Sequence, residues 1–592
     1  MNNRVKAPRF RLSASWRQAL MAAPLVLLLL ALLVYPVGQL LLLSVQNDEG
    51  FSLASYRQLF ASSVYINVLL ITLKISLWTT LLSVVAAYPV AYLISASSPK
   101  RKGTLLFWVL LSFWTSFLVR AFAWVVLLGR NGVINQLLVS IGVIDAPANL
   151  LYSVGSVLVG MVHALMPLAV LTMLSVMENI DRNLPRAAAT LGAPPGTAFW
   201  TVYFPQSLPG VAAAAIMVFV TAIGFFIVPA LLGGRQETMI TQIIIDQVQQ
   251  TMNWGFAGAI SVLLLVVVLA VFALYDKLLG LSSMTGSAPS RTRPAADSAS
   301  TRWIKRQGSE LLIALGRACD LLISWLPRRQ ARADGPSRGW NLLVWALLVF
   351  LSVPAFLMIP LSFSGGSGLA WPPKGFSLQW YQQMFDSPLW MQSVVRSLTV
   401  ALGAGFLSML IGTPAALLLV RGQMRGKSAM LAFVLSPIIV PRMIIAVGMF
   451  YFFARVGLVG TWIGLVLGHT VVAVPYVVMT MMAVLRNYDT RLDLAAQSLG
   501  AGPLATLRHV TFPILAAGLL SSFLFAFATS FDELTISLFA SGGLNSTLPK
   551  QFWDEVTLQL SPVIAAVSTC LFVFIAALIW VADRLRRASL AR

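Results

Sequence analysis

Long apolar stretches alternate with short polar intervals along the whole chain. Runs of roughly twenty or more apolar residues fall near 18–45, 64–97, 104–128, 150–177, 207–233, 255–281, 341–363, 393–420, 428–454, 460–485, 514–540 and 562–582, each long enough as a helix to cross ~30 Å of hydrocarbon. The pattern predicts an all-α polytopic membrane protein with about twelve transmembrane helices. The first run is about twice as long as a signal-peptide apolar region and no small-residue cleavage site follows it, so it is read as a span.

The pattern also repeats. "FSLASYRQLF" at Phe51 matches "FSLQWYQQMF" at Phe376, and Pro89 matches Pro414, both pairs 325 residues apart. Asn179 and Asp181 match Asn487 and Asp489, Gly192 matches Gly500 and Pro205 matches Pro513, all 308 apart. A longer outer loop in the first half, within 133–160, accounts for the drop of 17 in the offset. Six helices are therefore repeated in the same orientation, giving two parallel six-helix domains, 1–281 and 341–592. The join, 282–340, opens with "SSMTGSAPSRTRPAADSAST", which reads as a disordered linker. Then "WIKRQGSELLIALGRACDLLISWLPRR" places apolar residues at helical spacing between basic ends. It reads as an interfacial amphipathic helix on the cytoplasmic leaflet, or as a helix that docks a partner.

Composition agrees: of 592 residues 58% are hydrophobic and 10% charged, and the mean hydropathy is +0.83, outside the range of soluble domains. The net charge of +21 raises nucleic acid as a partner, but the positions of the charges exclude it. With both termini cytoplasmic, 31 of the 41 Lys and Arg lie in inner segments, against six in outer loops: Arg57, Arg130, Arg235, Lys374, Arg455 and Lys550. This asymmetry reports orientation and anionic lipid. Cys319 and Cys570 supply neither a disulfide framework nor a thiolate metal site.

Catalytic chemistry is hard to find. "GQMRGKS" at Gly422 is one residue short of the Walker spacing and lies between membrane helices rather than after a strand. His163, His469 and His509 are not spaced for a shared metal. The expectation is therefore no catalytic residue, no metal and no cofactor on this chain. Charges inside spans carry more information. Asp532 and Glu533 fall late in an inside-to-outside helix, and Arg120 at a comparable depth in the third span. The acidic pair either eases a cationic solute along its pathway or forms an ion pair with Arg120 or Arg442. Phe113, Trp114 and Phe117 line a gate or pack helices; Lys74 snorkels or pairs. In outer loops Asp246, Asp554 and Glu555 are candidates for meeting a soluble partner.

One polar interval occurs twice, as "RAAATLGAPPGTAFWTVYFPQSLPG" at Arg186 and "LAAQSLGAGPLATLRHVTFPILAAG" at Leu494. Ala187, Ala188, Leu191, Gly192 and Pro205 correspond to Ala495, Ala496, Leu499, Gly500 and Pro513. A short helix, a glycine turn and a second short helix ending at proline predict a knob projecting into the cytoplasm. The spacing resembles the EAA motif of ABC importer permeases, with Arg186 and Leu494 in place of the usual glutamate, and Phe204 and Phe512 before the proline. Segment 110–135 resembles the first permease of polyamine-type importers of this class; 435–478 and 530–556 are similar to the second. The resemblance implies a type I ABC importer-like fold in a bacterial inner membrane, with two permeases fused in one chain. It further implies two copies of a cytoplasmic ABC ATPase gripped by the two loops, with ATP and Mg²⁺ bound there, and a periplasmic solute-binding protein. Putrescine, spermidine or a related amine is the implied solute. Twelve helices in two parallel halves also fit an ion-coupled secondary transporter of the major facilitator type, although "SPKRKG" stands where that family's basic glycine-rich signature would be.

Overall fold

In hydrocarbon a backbone must satisfy its own hydrogen bonds, and the apolar runs do so as helices. The computed structural model describes residues 14–590 apart from 48–49, 182, 280–298, 326–337, 423 and 425; the stretch read as a disordered linker lies outside the described residues except for its last three positions. The first half opens with α1 (Ala14–Leu29), a π-helical turn and α2 (Tyr35–Leu43), then α3 (Ala54–Ala61), α4 (Ser63–Ala96), α5 (Pro99–Trp114), α6 (Phe117–Leu128) and α7 (Val133–Ser140). It continues with α8 (Val154–Met177), α9 (Asn183–Thr190), α10 (Pro195–Ala198), α11 (Phe204–Ile223), α12 (Ile227–Leu232), α13 (Ile240–Gln249) and α14 (Trp254–Leu279). The join contains α15 (Ala299–Trp325).

The second half is α16 (Arg338–Ser362), α17 (Gln379–Asp386), α18 (Pro388–Arg421), α19 (Lys427–Ile439), α20 (Arg442–Val456), α21 (Trp462–Arg486) and α22 (Arg491–Ser498). After these come α23 (Pro503–Thr506), α24 (Phe512–Phe531), α25 (Thr535–Ala540), α26 (Leu548–Leu558) and α27 (Val563–Leu590). The duplication holds to the residue over much of this length. Helices α3, α4 and α6 start 325 residues before α17, α18 and α20, and each of α8 to α13 starts 308 before its counterpart among α21 to α26. The 17 extra residues of the first half are α7 and the loop behind it. Asn135, fully buried, shapes that insert: Nδ2 donates to Gly129 O and Ala148 O, both at 3.0 Å, and Oδ1 accepts from Ala148 N at 2.9 Å.

Among the described residues ten helices are long and apolar enough to cross a membrane; the pair α19–α20, bent by 90°, and the apolar part of α27, Val563–Leu578, account for the remaining runs. Four runs expected as continuous are interrupted. In the third, Thr115 and Ser116 take extended ψ values of 134° and 137° between α5 and α6. In the ninth, Val440 is extended before Pro441, because the proline ring disfavours helical geometry in the residue before it. The fifth and eleventh stop at Ile223 and Phe531, and short α12 and α25 follow after three-residue turns.

The halves are interlocked. Helices α1 and α2 pack on α18 and α20, while α16 packs on α4, α5 and α6. Gly448 admits the Pro36 backbone, since a Cβ there would stand 3.0 Å from Pro36 O; Trp124, His163 and Phe350 meet as rings, and His163 Nε2 reaches Leu351 O at 3.1 Å. Matching hydroxyls pin the short helices α13 and α26 to the long ones. Thr72 Oγ1 accepts from Ile240 N at 2.9 Å, and Ser397 Oγ from Leu548 N at 2.7 Å, capping α13 and α26 alike.

Candidate functional site

Two loops repeat one backbone design. Helix α9 ends in a Schellman turn in which Ala193 N donates to Ala188 O and Gly192 N to Ala189 O, each at 3.0 Å. Helix α22 ends the same way, Ala501 N to Ala496 O and Gly500 N to Gln497 O, again at 3.0 Å. The turn requires a left-handed residue, and Gly192 and Gly500 supply it with φ of +87° and +88°. Each turn lifts one leucine clear of the protein: Leu191 is 89% exposed and Leu499 90%. Ala187 and Ala495 are exposed beside them, and Ala188 and Ala496 half-buried.

The second arm of each loop departs from the expected short helix ending at proline. After α10 and α23 the chain passes through π-helical turns, Phe199–Tyr203 and Leu507–Thr511, straight into α11 and α24. Pro205 and Pro513 lie in the first turn of those membrane helices. A proline lacks the N–H that would close a helical bond, and the wide turn before it accommodates that loss. Each loop is thus continuous with a membrane helix, α11 or α24. Asp493 braces the second loop: Oδ1 accepts from Tyr488 Oη at 2.6 Å and Thr511 Oγ1 at 2.7 Å, with Arg421 at 3.9 Å. Burial and the Asp493 hydrogen bond push the Tyr488 phenol upward.

Where the broken helices meet, the charged residues gather. Asp532 closes α24 and Glu533 lies in the turn before α25, rather than late in a continuous helix. Glu533 is buried and accepts from Thr535 N at 3.2 Å and Ile536 N at 3.0 Å. Asp532 Oδ2 accepts from Phe117 N, the first residue of α6, at 3.5 Å, with the Ser116 side chain as a further partner. Arg120 is buried, donates to Ala164 O at 3.1 Å and stacks its guanidinium 4.5 Å from the Phe117 ring centre. Arg442 donates to Tyr476 Oη at 3.3 Å. Among the described residues no direct salt bridge joins these four charges; Arg120 and Arg442 act on Asp532 only through space, and Arg442 likewise on Glu533.

The aromatic residues of the third run join this centre from one side. Phe113 and Trp114 pack at 5.7 Å, Trp114 reaches Phe525 at 5.0 Å, and Phe525 stacks on Tyr476 at 5.4 Å. Phe117 packs on Phe225 at 5.3 Å. By the repeat offsets Phe117 corresponds to Arg442 and Phe225 to Glu533, so an aromatic pair in one half stands where the other half has a charge pair. Tyr476, Phe525 and Phe225 escape reading by hydropathy, but the offsets would have found Phe225 as the counterpart of Glu533. Lys74 is exposed on α4. Asp246 lies on α13 with its carboxyl raised by burial, and Asp554 on α26 pairs with Lys550 at 2.5 Å. His469 lies between Ser530 and Ser537, far in the chain from the His163 contact and from His509, whose Nδ1 bonds to Ala505 O.

Residues 80–279 and 408–590 each match the family model of the binding-protein-dependent transport system inner membrane component. The chain is similar to the spermidine/putrescine transport system permease protein PotB of Haemophilus influenzae, 33% identical over 225 residues, which is 38% of this chain and 78% of that protein. The PotB protein of Escherichia coli K12 is 32% identical over 225 residues, covering 38% of this chain and 82% of that protein. The H. influenzae permease PotC is 30% identical over 251 residues, 42% of this chain and 96% of that protein.

Proposed function

Because the chain belongs to the family of binding-protein-dependent transport system inner membrane components and carries that domain twice, we propose that it supplies both membrane halves of an ATP-driven importer of a small amine, putrescine and spermidine first among them. The names of the PotB and PotC relatives support that solute class, and family membership sets aside the ion-coupled secondary transporter. In this reading the domains are 1–281 and 341–592, and the termini, the 282–340 join and the two loops face the cytoplasm of a bacterium.

Each loop seats on one of two cytoplasmic ABC ATPases. ATP and Mg²⁺ bind there, and this chain catalyses nothing itself. A periplasmic solute-binding protein delivers the amine to the opposite face, where α13 and α26 with Asp246, Asp554 and Glu555 form the contact. When the ATPases close on ATP, the loops are drawn together. Since each continues into α11 or α24, the halves rock about the centre of Arg120, Asp532, Glu533, Phe113, Trp114 and Phe117.

The observation that carries this reading is the twofold Schellman-closed knob with a fully exposed leucine at its tip. The test is uptake of labelled putrescine and spermidine by cells holding this chain with its ATPase and binding protein, against a strain lacking only this chain. Loss of uptake is expected. Unchanged uptake would remove the amine assignment, and failure of an ATPase to co-purify would remove the importer.

A further inference from the structure

The helix in the join touches one of the two loops, and among the described residues no helix takes its place on the other. Asp320, on α15, grips α10: Oδ1 accepts from Gly196 N at 2.6 Å, and Oδ2 from Thr197 N at 2.9 Å and Thr197 Oγ1 at 2.7 Å. Hydrogen bonds to an ionised acceptor are the strong kind. Two glycines allow the approach. A Cβ on Gly196 would stand 2.6 Å from Asp320 Oδ1 and 2.9 Å from Gly316 O, and a Cβ on Gly316 would stand 3.0 Å from Thr197 Cα.

The second loop is built to refuse such a contact. At the positions of Gly196 and Thr197 it carries Leu504 and Ala505, and Leu504 is 77% exposed. It has its own carboxylate instead, Asp493, tied to the π-helical turn through Thr511; the first loop has Pro185 at that position. Beyond the matching caps of Asp181 and Asp489 at the starts of α9 and α22, a carboxylate ties the second arm of each loop, and the first loop borrows that one from the join.

We propose that α15 is a brace on the first loop and that Asp320 is its positioning residue, setting the angle at which the Leu191 tip meets its partner. The proposal rests on the reading of the loops as ATPase docks. The join then does more than tether the halves: it replaces, in the first half, a contact that the second half makes for itself. The two docks are held by different parts of the chain, so a change in the join alters one dock alone.

The experiment uses the full transporter with its ATPases and a solute-binding protein in sealed liposomes. Hydrogen exchange is followed in peptides covering 193–203 and 501–511, alongside ATP hydrolysed per solute imported. Asp320→Ala is expected to speed exchange in the first peptide by roughly tenfold or more, as fits the loss of hydrogen bonds to a charged acceptor, and to leave the second peptide unchanged. The ATP cost per solute rises with both ATPases still bound, and Asp320→Asn, which keeps one acceptor oxygen, restores part of the coupling. Gly316→Leu leaves Asp320 in place but forces the backbones apart and gives the same result, so the outcome does not depend on one variant folding. Unchanged protection of 193–203 in both variants overturns the brace. Lost protection with unchanged coupling overturns its positioning role. A wild-type chain that holds no ATPase overturns the docking reading and the positioning role with it, while the exchange contrast between the loops still reports the brace itself.

Discussion

Asp532 and Gly224 hold the same place in the two halves, 308 residues apart, and each touches the opposite half. Asp532 bonds to Phe117 N at the start of α6. Gly224 lies against the start of α20, where a Cβ would stand 3.4 Å from Pro441 Cβ. The helix breaks of one half are thus seated on those of the other, and one of the two seats is charged.

That charge has a consequence for stability. Asp532→Ala leaves Arg120 and Arg442 without a shared counter-charge and is expected to cost about 3–5 kcal/mol, the range for breaking a buried pair by removing one partner. Asp532→Asn keeps a partner for Phe117 N and separates the hydrogen bond from the charge. In a double-mutant cycle read by thermal unfolding, Arg120→Ala combined with Asp532→Ala should cost less than the sum of the two changes. Additive costs would show that the two charges do not interact.

Alanine at Gly192 or Gly500 meets no steric obstacle, since nothing lies within 4 Å of a Cβ at either site. The cost is confined to the left-handed backbone, about 1 kcal/mol at each position. Thermal unfolding of the two single variants should give similar shifts, and the double variant their sum. A larger shift at one loop would mean that the turns are not equivalent.

Leu191→Asp and Leu499→Asp test docking without disturbing the fold. Side chains this exposed lose little in the isolated chain, within about 0.5 kcal/mol. ATPase capture and uptake should nevertheless fall at least tenfold in the double variant, in keeping with the weight a few exposed apolar anchors carry at interfaces. Normal capture would remove the loops from the ATPase contact.

Thr72→Val and Ser397→Ala each remove a hydroxyl that satisfies a buried backbone N–H. Each should lower stability by about 1–3 kcal/mol, the cost of an unpaired buried donor. Thermal unfolding of the pair checks whether α13 and α26 are held equally; if neither variant shifts, these hydroxyls do not fix the outer helices.

Much of this arrangement is legible in the residues. Hydropathy finds the twelve runs, and the spacing of Pro89 and Pro414, or Gly192 and Gly500, finds the duplication and the loops. What averaging over some twenty residues cannot see is a two- or three-residue interruption such as Thr115–Ser116 or Asp532–Leu534, because the flanking residues are as apolar as those of an unbroken helix. Asp320 is hidden for another reason. Its partners are backbone N–H groups 123 and 124 residues away, and amphipathic periodicity in α15 reports that one face is apolar without reporting what the polar face grips.

The crossing of α16 onto α4–α6, and of α1 and α2 onto α18 and α20, bears on why the halves share one polypeptide. Two halves that each lend their leading helices to the other are fastened by exchange, like clasped hands, apart from any covalent tie. The tie settles a different matter. It fixes who is clasped: every first half leaves the ribosome with one second half at its side, at a far higher effective concentration than any half of another chain, which disfavours pairings of like with like that would put two aromatic or two charged sides around the centre.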